Sequence, residues 1–220
     1  MFCGIQHIGL VWTRRSATAA GGWHEDSTSQ NIISTQRDGP DLVNPAGDAD
    51  IVAVDARVIK LLRAMHAVEM YAEMMFALML ENGGPLSSSQ RCKIEACRLL
   101  EVDMAEMISN HITLELGLAL VPRDPPALTP AQHAAIHEQD WGRRMMAVEV
   151  VAAGVISPFR ELKTFYADRQ PKLCNTLLAH ALIIRDFAHH EVEGDTELSL
   201  GGVMSMLRDE TMVALSHFPT

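Results

Sequence analysis

Four carboxylates stand where an amphipathic helix would keep apolar side chains, and one of them has a histidine at helical spacing. Glu69 follows Met65 by four residues and precedes Phe76 by seven. Glu101 follows Cys97 by four and precedes Met104 by three. Glu149 stands inside MMAVEVVAAGVI, apolar on both sides. Asp186 follows Leu182 by four within LLAHALIIRDFAHHE, and His189 follows Asp186 by three. Residues three and four apart share a helix face, so these acids are expected on buried stripes. A buried carboxylate is costly unless it is paired, hydrogen-bonded or metal-bound. Four of them, one per core helix, would compensate one another around cations. The Asp186-x-x-His189 pair is the acid-x-x-His element with which helix bundles build di-metal sites. Mixed carboxylate and imidazole ligation suits iron or manganese. The expected ligands are therefore Glu69, Glu101, Glu149, Asp186 and His189. Glu73 competes with Glu69, and Asp103 and Glu106 compete with Glu101. His66, His111 and His180 are read as structural histidines with their hydrogen bonds satisfied, and the Met residues as core.

Five elements must position these groups. Apolar residues at three- and four-residue spacing predict a helix from about 50 to 80, stopped by Asn82-Gly83-Gly84-Pro85. Ser87–Ser89 offers a cap for a second helix running to about 120. Thr129-Pro130 opens a third, running to about 156, with a kink or fresh start at Ser157-Pro158 and helical pattern on to 167. A fourth runs from about 172 to 193, and a short closing helix follows Gly201-Gly202. No strand alternation is present. The expected architecture is all-α: a four-helix bundle over residues 51–220 with an accessory C-terminal helix. Residues 1–50, rich in Gly, Ser, Thr, Asn and Asp, read as a flexible tail.

Composition narrows the function classes. Of 220 residues, 48% are hydrophobic but only 5% aromatic, and Met numbers 13, which favours a helical core. A net charge of -10 argues against a nucleic-acid partner. No apolar run is long enough to span a membrane, and no export signal is read, so a cytoplasmic location is expected. Cys3, Cys92, Cys97 and Cys174 lack zinc-type spacing and read as reduced thiols.

These residues bear a resemblance to the ferritin-like di-iron carboxylate proteins, and within them to the demethoxyubiquinone hydroxylase family. His66-Ala67-Val68-Glu69 resembles that family's His-Ala-Gly-Glu, with Val68 in place of Gly. Ala147-Val148-Glu149 is similar to its Ala-Val-Glu, and Asp186-Phe187-Ala188-His189-His190-Glu191 to its Glu-x-x-His-His-Asp. The resemblance covers about residues 55–215. It departs from the family at Met104, which stands where the second helix carries a ligand histidine, and at Asp186, which replaces Glu. The resemblance implies two irons bridged by Glu101 and Asp186, with O2 activated to hydroxylate or oxidise a small organic substrate. With Met104 in place of the histidine, the site is expected to hold two ions asymmetrically, one, or none, with manganese as the alternative to iron. The resemblance leaves the electron donor open and is consistent with a homodimer.

Two other readings compete. One is a non-catalytic ferritin-like bundle, binding metal or a partner at a degenerate site, its buried acids satisfied by Arg63, Arg98, Arg144 or Arg185. Arg185 is expected to point about 100° from Asp186 and not to pair with it. The other is the haem-oxygenase-like class, which would want a histidine three or four residues before Asp186, where Leu182 and Ile183 stand.

Overall fold

A short-range hydrogen bond opens each of the first four helices. The Asp55 carboxylate accepts the Arg57 N–H at 2.8 Å and starts α1 (Ala56–Asn82). Ser87 and Gln90 form a reciprocal capping box at the head of α2 (Ser88–Asn110). Thr129 and Gln132 do the same for α3 (Pro130–His137), with Pro130 in the first turn. Asp140 caps α4 (Trp141–Tyr166) through the Arg143 N–H. α5 (Pro171–Glu193) starts on a proline and ends at Gly194, whose φ of 86° is open to glycine at little cost. α6 (Ser199–Met206) and α7 (Asp209–Ser216) follow. These elements come from a computed structural model that describes residues 54–120 and 127–216. The tail expected at residues 1–50 lies outside the described residues.

The described residues are all-helical, and the main helices are those the periodicity predicts. Four details differ. The closing helix is two, α6 and α7, and Gly201-Gly202 lie inside the first instead of preceding it. The second helix stops at Asn110, where the backbone widens into a π turn, His111–Glu115. The third is two helices. Glu138 is extended, its carboxylate accepts the N–H groups of Gln139 and Asp140, and the buried Arg144 guanidinium donates to its carbonyl at 2.8 Å. Arg144 also donates to the Gly83 carbonyl, so one buried side chain fastens this break to the end of α1. Pro158, in contrast, does not end α4. The N–H it lacks would have bonded the carbonyl of Gly154, an exposed residue, so that carbonyl can be solvated.

Short connections make α1 and α2 one antiparallel pair and α4 and α5 another. The pairs meet through α1 on α4 and α2 on α5; α3 packs on α1 and α4, α6 on α5 and α2, and α7 on α2. The core between the four long helices includes Leu62, Phe76, Leu100, Phe159, Leu177 and Phe187, all buried. Each such side chain contributes about 1.5–3 kcal/mol on leaving water. No described helix is long and apolar enough to cross a membrane.

One buried charge cluster locks four helices together. Glu191 on α5 receives Lys93 of α2, Ser199 of α6 and, at 2.8 Å, the Trp141 indole N–H of α4. Lys93 also donates to the Thr196 carbonyl at 2.9 Å. Every member of this cluster has a partner, so its role is structural. Glu191→Ala is expected to cost about 3–5 kcal/mol, because it strands the Lys93 ammonium in the interior. Urea unfolding checks this. A loss below about 1 kcal/mol would mean that Lys93 finds water or another acid.

Candidate metal centre

Glu69 lies 13 residues before the end of α1 at Asn82, and Glu101 lies 13 residues after the start of α2 at Ser88. With a short turn between antiparallel helices, equal offsets bring the two carboxylates level. Both lie on inward stripes, and both are buried, at 1% and 2% exposure. His180 of α5 completes the group at 3% exposure. Its Nδ1 lies 3.5 Å from Glu69 Oε1 and its Nε2 lies 3.3 Å from Glu101 Oε2. One ligand atom from each residue falls within 4.8 Å of the others, which is a geometry that could hold a metal ion.

The polar atoms of this group are otherwise unused. Both Glu69 oxygens, Glu101 Oε2 and both ring nitrogens of His180 are buried without a hydrogen-bond partner among the described residues. An unmade buried hydrogen bond costs about 1–3 kcal/mol, so such a cluster needs a compensating occupant or its own charge pairing. The arginines considered as satisfiers go elsewhere. Arg98 pairs with Glu73 and Glu95 at 2.8 Å, and Arg63 donates to the Ala119 carbonyl at 3.0 Å. Arg144 serves the Glu138 and Gly83 carbonyls. The rival acids are also engaged. Asp103 accepts from Arg208 and Thr211, which docks α7 on α2, and Glu106 meets Arg208 at 2.6 Å.

Without a cation the three groups share protons. Burial, together with the neighbouring Glu69 charge, pushes the Glu101 carboxyl up to about 8, against the pull of His180. Burial pushes Glu69 up as well, but the adjoining His180 outweighs it and holds Glu69 below its ordinary value. Burial would lower His180, but the two carboxylates hold it well above its ordinary value. At neutral pH the metal-free centre therefore carries its protons on His180 and Glu101. A cation binding there displaces both. Burial, and the Glu101 and Glu191 charges, push the Cys97 thiol up, so this buried neighbour is not a ready thiolate ligand.

The ligands open onto a cavity of about 100 Å³. α1 lines it with Val68, Ala72 and Phe76, and α4 with Val148, Val151, Ala152, Val155 and Phe159. α4 thus supplies an apolar wall and no ligand. Glu149 is one residue on from Val148, about 100° round the helix, and its side chain is 32% exposed. There it meets His189, 53% exposed, at 3.3 Å. On α5 the inward positions are Leu177, His180, Ala181, Ile184 and Ala188, so Asp186 falls on the outer face. Asp186 is 53% exposed and pairs with Arg185 at 2.6 Å, contrary to the expectation that adjacent helical residues would miss each other. Both side chains are at the surface and free to bend together.

Of the five expected ligands, Glu69 and Glu101 come together; Glu149, Asp186 and His189 do not join them. The third member, His180, is not the satisfied structural histidine that the sequence suggests, since neither ring nitrogen has a hydrogen-bond partner among the described residues. His111 does fit that description: its ring bonds Glu115 at 2.8 Å and the Tyr166 hydroxyl at 3.0 Å. A signal for His180 exists in the sequence, since it lies three residues after Leu177 and four before Ile184, inside the longest apolar stretch of its helix. Met104 is buried among core side chains.

The fold and site define an all-helical protein with a buried carboxylate–carboxylate–imidazole cluster. No protein-family model matches the chain, and no curated protein or solved structure matches it either.

Proposed function

We propose that this chain is a metal-dependent oxidoreductase of the ferritin-like class, oxidising a small organic substrate with O2 at a centre made by Glu69, Glu101 and His180. The observation that carries this reading is the convergence of those three buried side chains with five polar atoms lacking a hydrogen-bond partner. Two carboxylates and an imidazole suit iron or manganese. Glu69 and Glu101 balance the charge of a divalent ion, and His180, once deprotonated, adds a neutral donor. Bound there, ferrous iron would supply electrons and open coordination positions to O2. The chain's own part is to fix the ligands on three rigid helices and to keep the cavity beside them apolar. Three gathered ligands fit one ion, not the two that the family resemblance implies.

A second reading, a non-catalytic metal-binding or partner-binding bundle, is favoured by α4, which presents only apolar side chains to the cavity. Purification without chelator, elemental analysis for iron, manganese and zinc, and oxygen uptake with a chemical reductant separate the two. A single iron or manganese per chain, with oxygen uptake lost in His180→Ala, is the expected result. Metal without oxygen uptake favours the second reading. No metal, even after ferrous reconstitution, sinks every metal-centred reading.

A further inference from the structure

The cavity next to the ligand cluster is small and almost wholly apolar. Val68, Ala72, Phe76, Val151, Ala152 and Val155 make up much of its wall, and among the described residues its polar side chains are Tyr71, Gln132 and the three candidate ligands. At about 100 Å³ it is larger than the voids a well-packed interior ordinarily leaves, and several times the space of a single water. An apolar cavity of about 150 Å³ takes up benzene or xenon and stays dry otherwise. Two features set the chemistry of an occupant here. With the three ligands engaged by a cation, Tyr71 and Gln132 are the polar side chains left among the described lining residues, so a charged molecule would lose most of its hydration without replacement. A divalent ion held by two carboxylates and a neutral imidazole is a charge-balanced centre and has no net attraction for an anion.

We propose that this cavity binds an uncharged, hydrophobic molecule no larger than benzene, on the order of four to six heavy atoms. As the substrate class of the centre this rests on the metal reading above; as a binding site it rests on the cavity alone. Val148, Val151 and Val155 follow one another about one helical turn apart on α4 and form one side of the seat, with Ala72 and Phe76 of α1 also lining it. Ala72 and Ala152 limit its size, since a larger side chain at either position would grow into the space.

The test uses the full chain and benzene as the probe, with benzoate and naphthalene as charged and oversized controls. Binding is followed by protein NMR shifts in the metal-free protein and by benzene proton relaxation after manganese(II) loading. Saturable benzene binding is expected, at least tenfold tighter than either control. It is expected to weaken at least tenfold in Ala152→Leu, and in Ala72→Leu should the first variant fold poorly. Both filled variants should keep the manganese-dependent rise in melting temperature. Relaxation of bound benzene should be enhanced by manganese in the unaltered protein and not in Glu101→Ala. Benzene binding without any effect of manganese on stability or relaxation would support the cavity and remove the metal reading. Manganese binding with no saturable benzene binding would overturn the present proposal and leave the metal centre standing. Equal benzene affinity in both filled variants would also overturn it, since the ligand would then lie elsewhere.

Discussion

Manganese(II) or ferrous iron added to the metal-free protein is expected to raise its melting temperature by about 8–16 °C at a thousandfold excess over Kd. The size follows from linkage: a ligand that binds only the folded state stabilises it by about 4 kcal/mol at that excess. For a chain of this size each kcal/mol moves the midpoint by about 2–4 °C. The gain should vanish in Glu69→Ala, Glu101→Ala and His180→Ala, because each removes one of three converging ligands. It should persist in Glu149→Ala, Asp186→Ala and His189→Ala, whose side chains are at the surface. The comparison is between midpoints with and without metal for each variant. His180→Ala also leaves two buried carboxylates facing each other and lowers the starting midpoint by itself. Calorimetric scans paired with elemental analysis read both quantities. A gain retained in Glu69→Ala, or lost in Glu149→Ala, would move the metal away from the buried cluster.

Glu101→Gln is expected to make the metal-free protein more stable at pH 8 while ending metal binding. Burial raises the Glu101 carboxyl from an ordinary 4.5 to about 8. Between those values the unfolded chain has released this proton and the folded chain still holds it. The folded state therefore binds more protons, and its stability falls as pH rises across that window. Below it both states are protonated and the penalty is absent; above it both are ionised and the penalty stops growing. Glutamine stays neutral throughout. The variant should therefore match the parent near pH 5 and exceed it by about 2–4 kcal/mol at pH 8. His180 adds a slope of the same sign, since a histidine held above its ordinary value loses its stabilising charge at high pH. Glu69 acts oppositely and only in acid, because its lowered value costs stability as pH falls below the ordinary carboxyl range. Urea unfolding at pH 5 and pH 8 decides the matter. Equal stabilities at both pH values would mean that Glu101 is already ionised in the metal-free protein, with His180 fully compensating it.

Together the two results would describe a centre kept at the expense of stability. A pair of acids that merely held the fold would be hydrogen-bonded, as Glu191 and Asp103 are. Among the described residues Glu69 and Glu101 instead pair only with His180, whose ring nitrogens are themselves unsatisfied. Buried groups left in that condition are the usual mark of a site that waits for a ligand.

Local sequence determined the helices and their caps: Ser87 with Gln90, Thr129 with Gln132, and the three- and four-residue apolar spacing are interactions within one or two turns. It also determined that Glu69 and Glu101 face inward, because α1 and α2 each have a polar side from which an acid on the apolar stripe stands out. Tertiary packing decided the rest of the site. α4 reads MMAVEVVAAGVI, with no polar face, so periodicity alone does not distinguish Val148 from Glu149 as the inward residue. The docking of α4 on α1, α3 and α5 sets that rotation, and a single residue's difference is about 100°. The same holds on α5, where Leu182 and Ile184 are both apolar but lie on different faces. Packing turned His180 to the centre and Asp186 to solvent. The break before α4 combines local caps, Glu138 on the Gln139 and Asp140 N–H groups and Asp140 on that of Arg143, with one long-range tie from Arg144 to the Gly83 carbonyl. Spacing along a helix defines which residues share a face; which face meets the other helices depends on the side chains that those helices present in return.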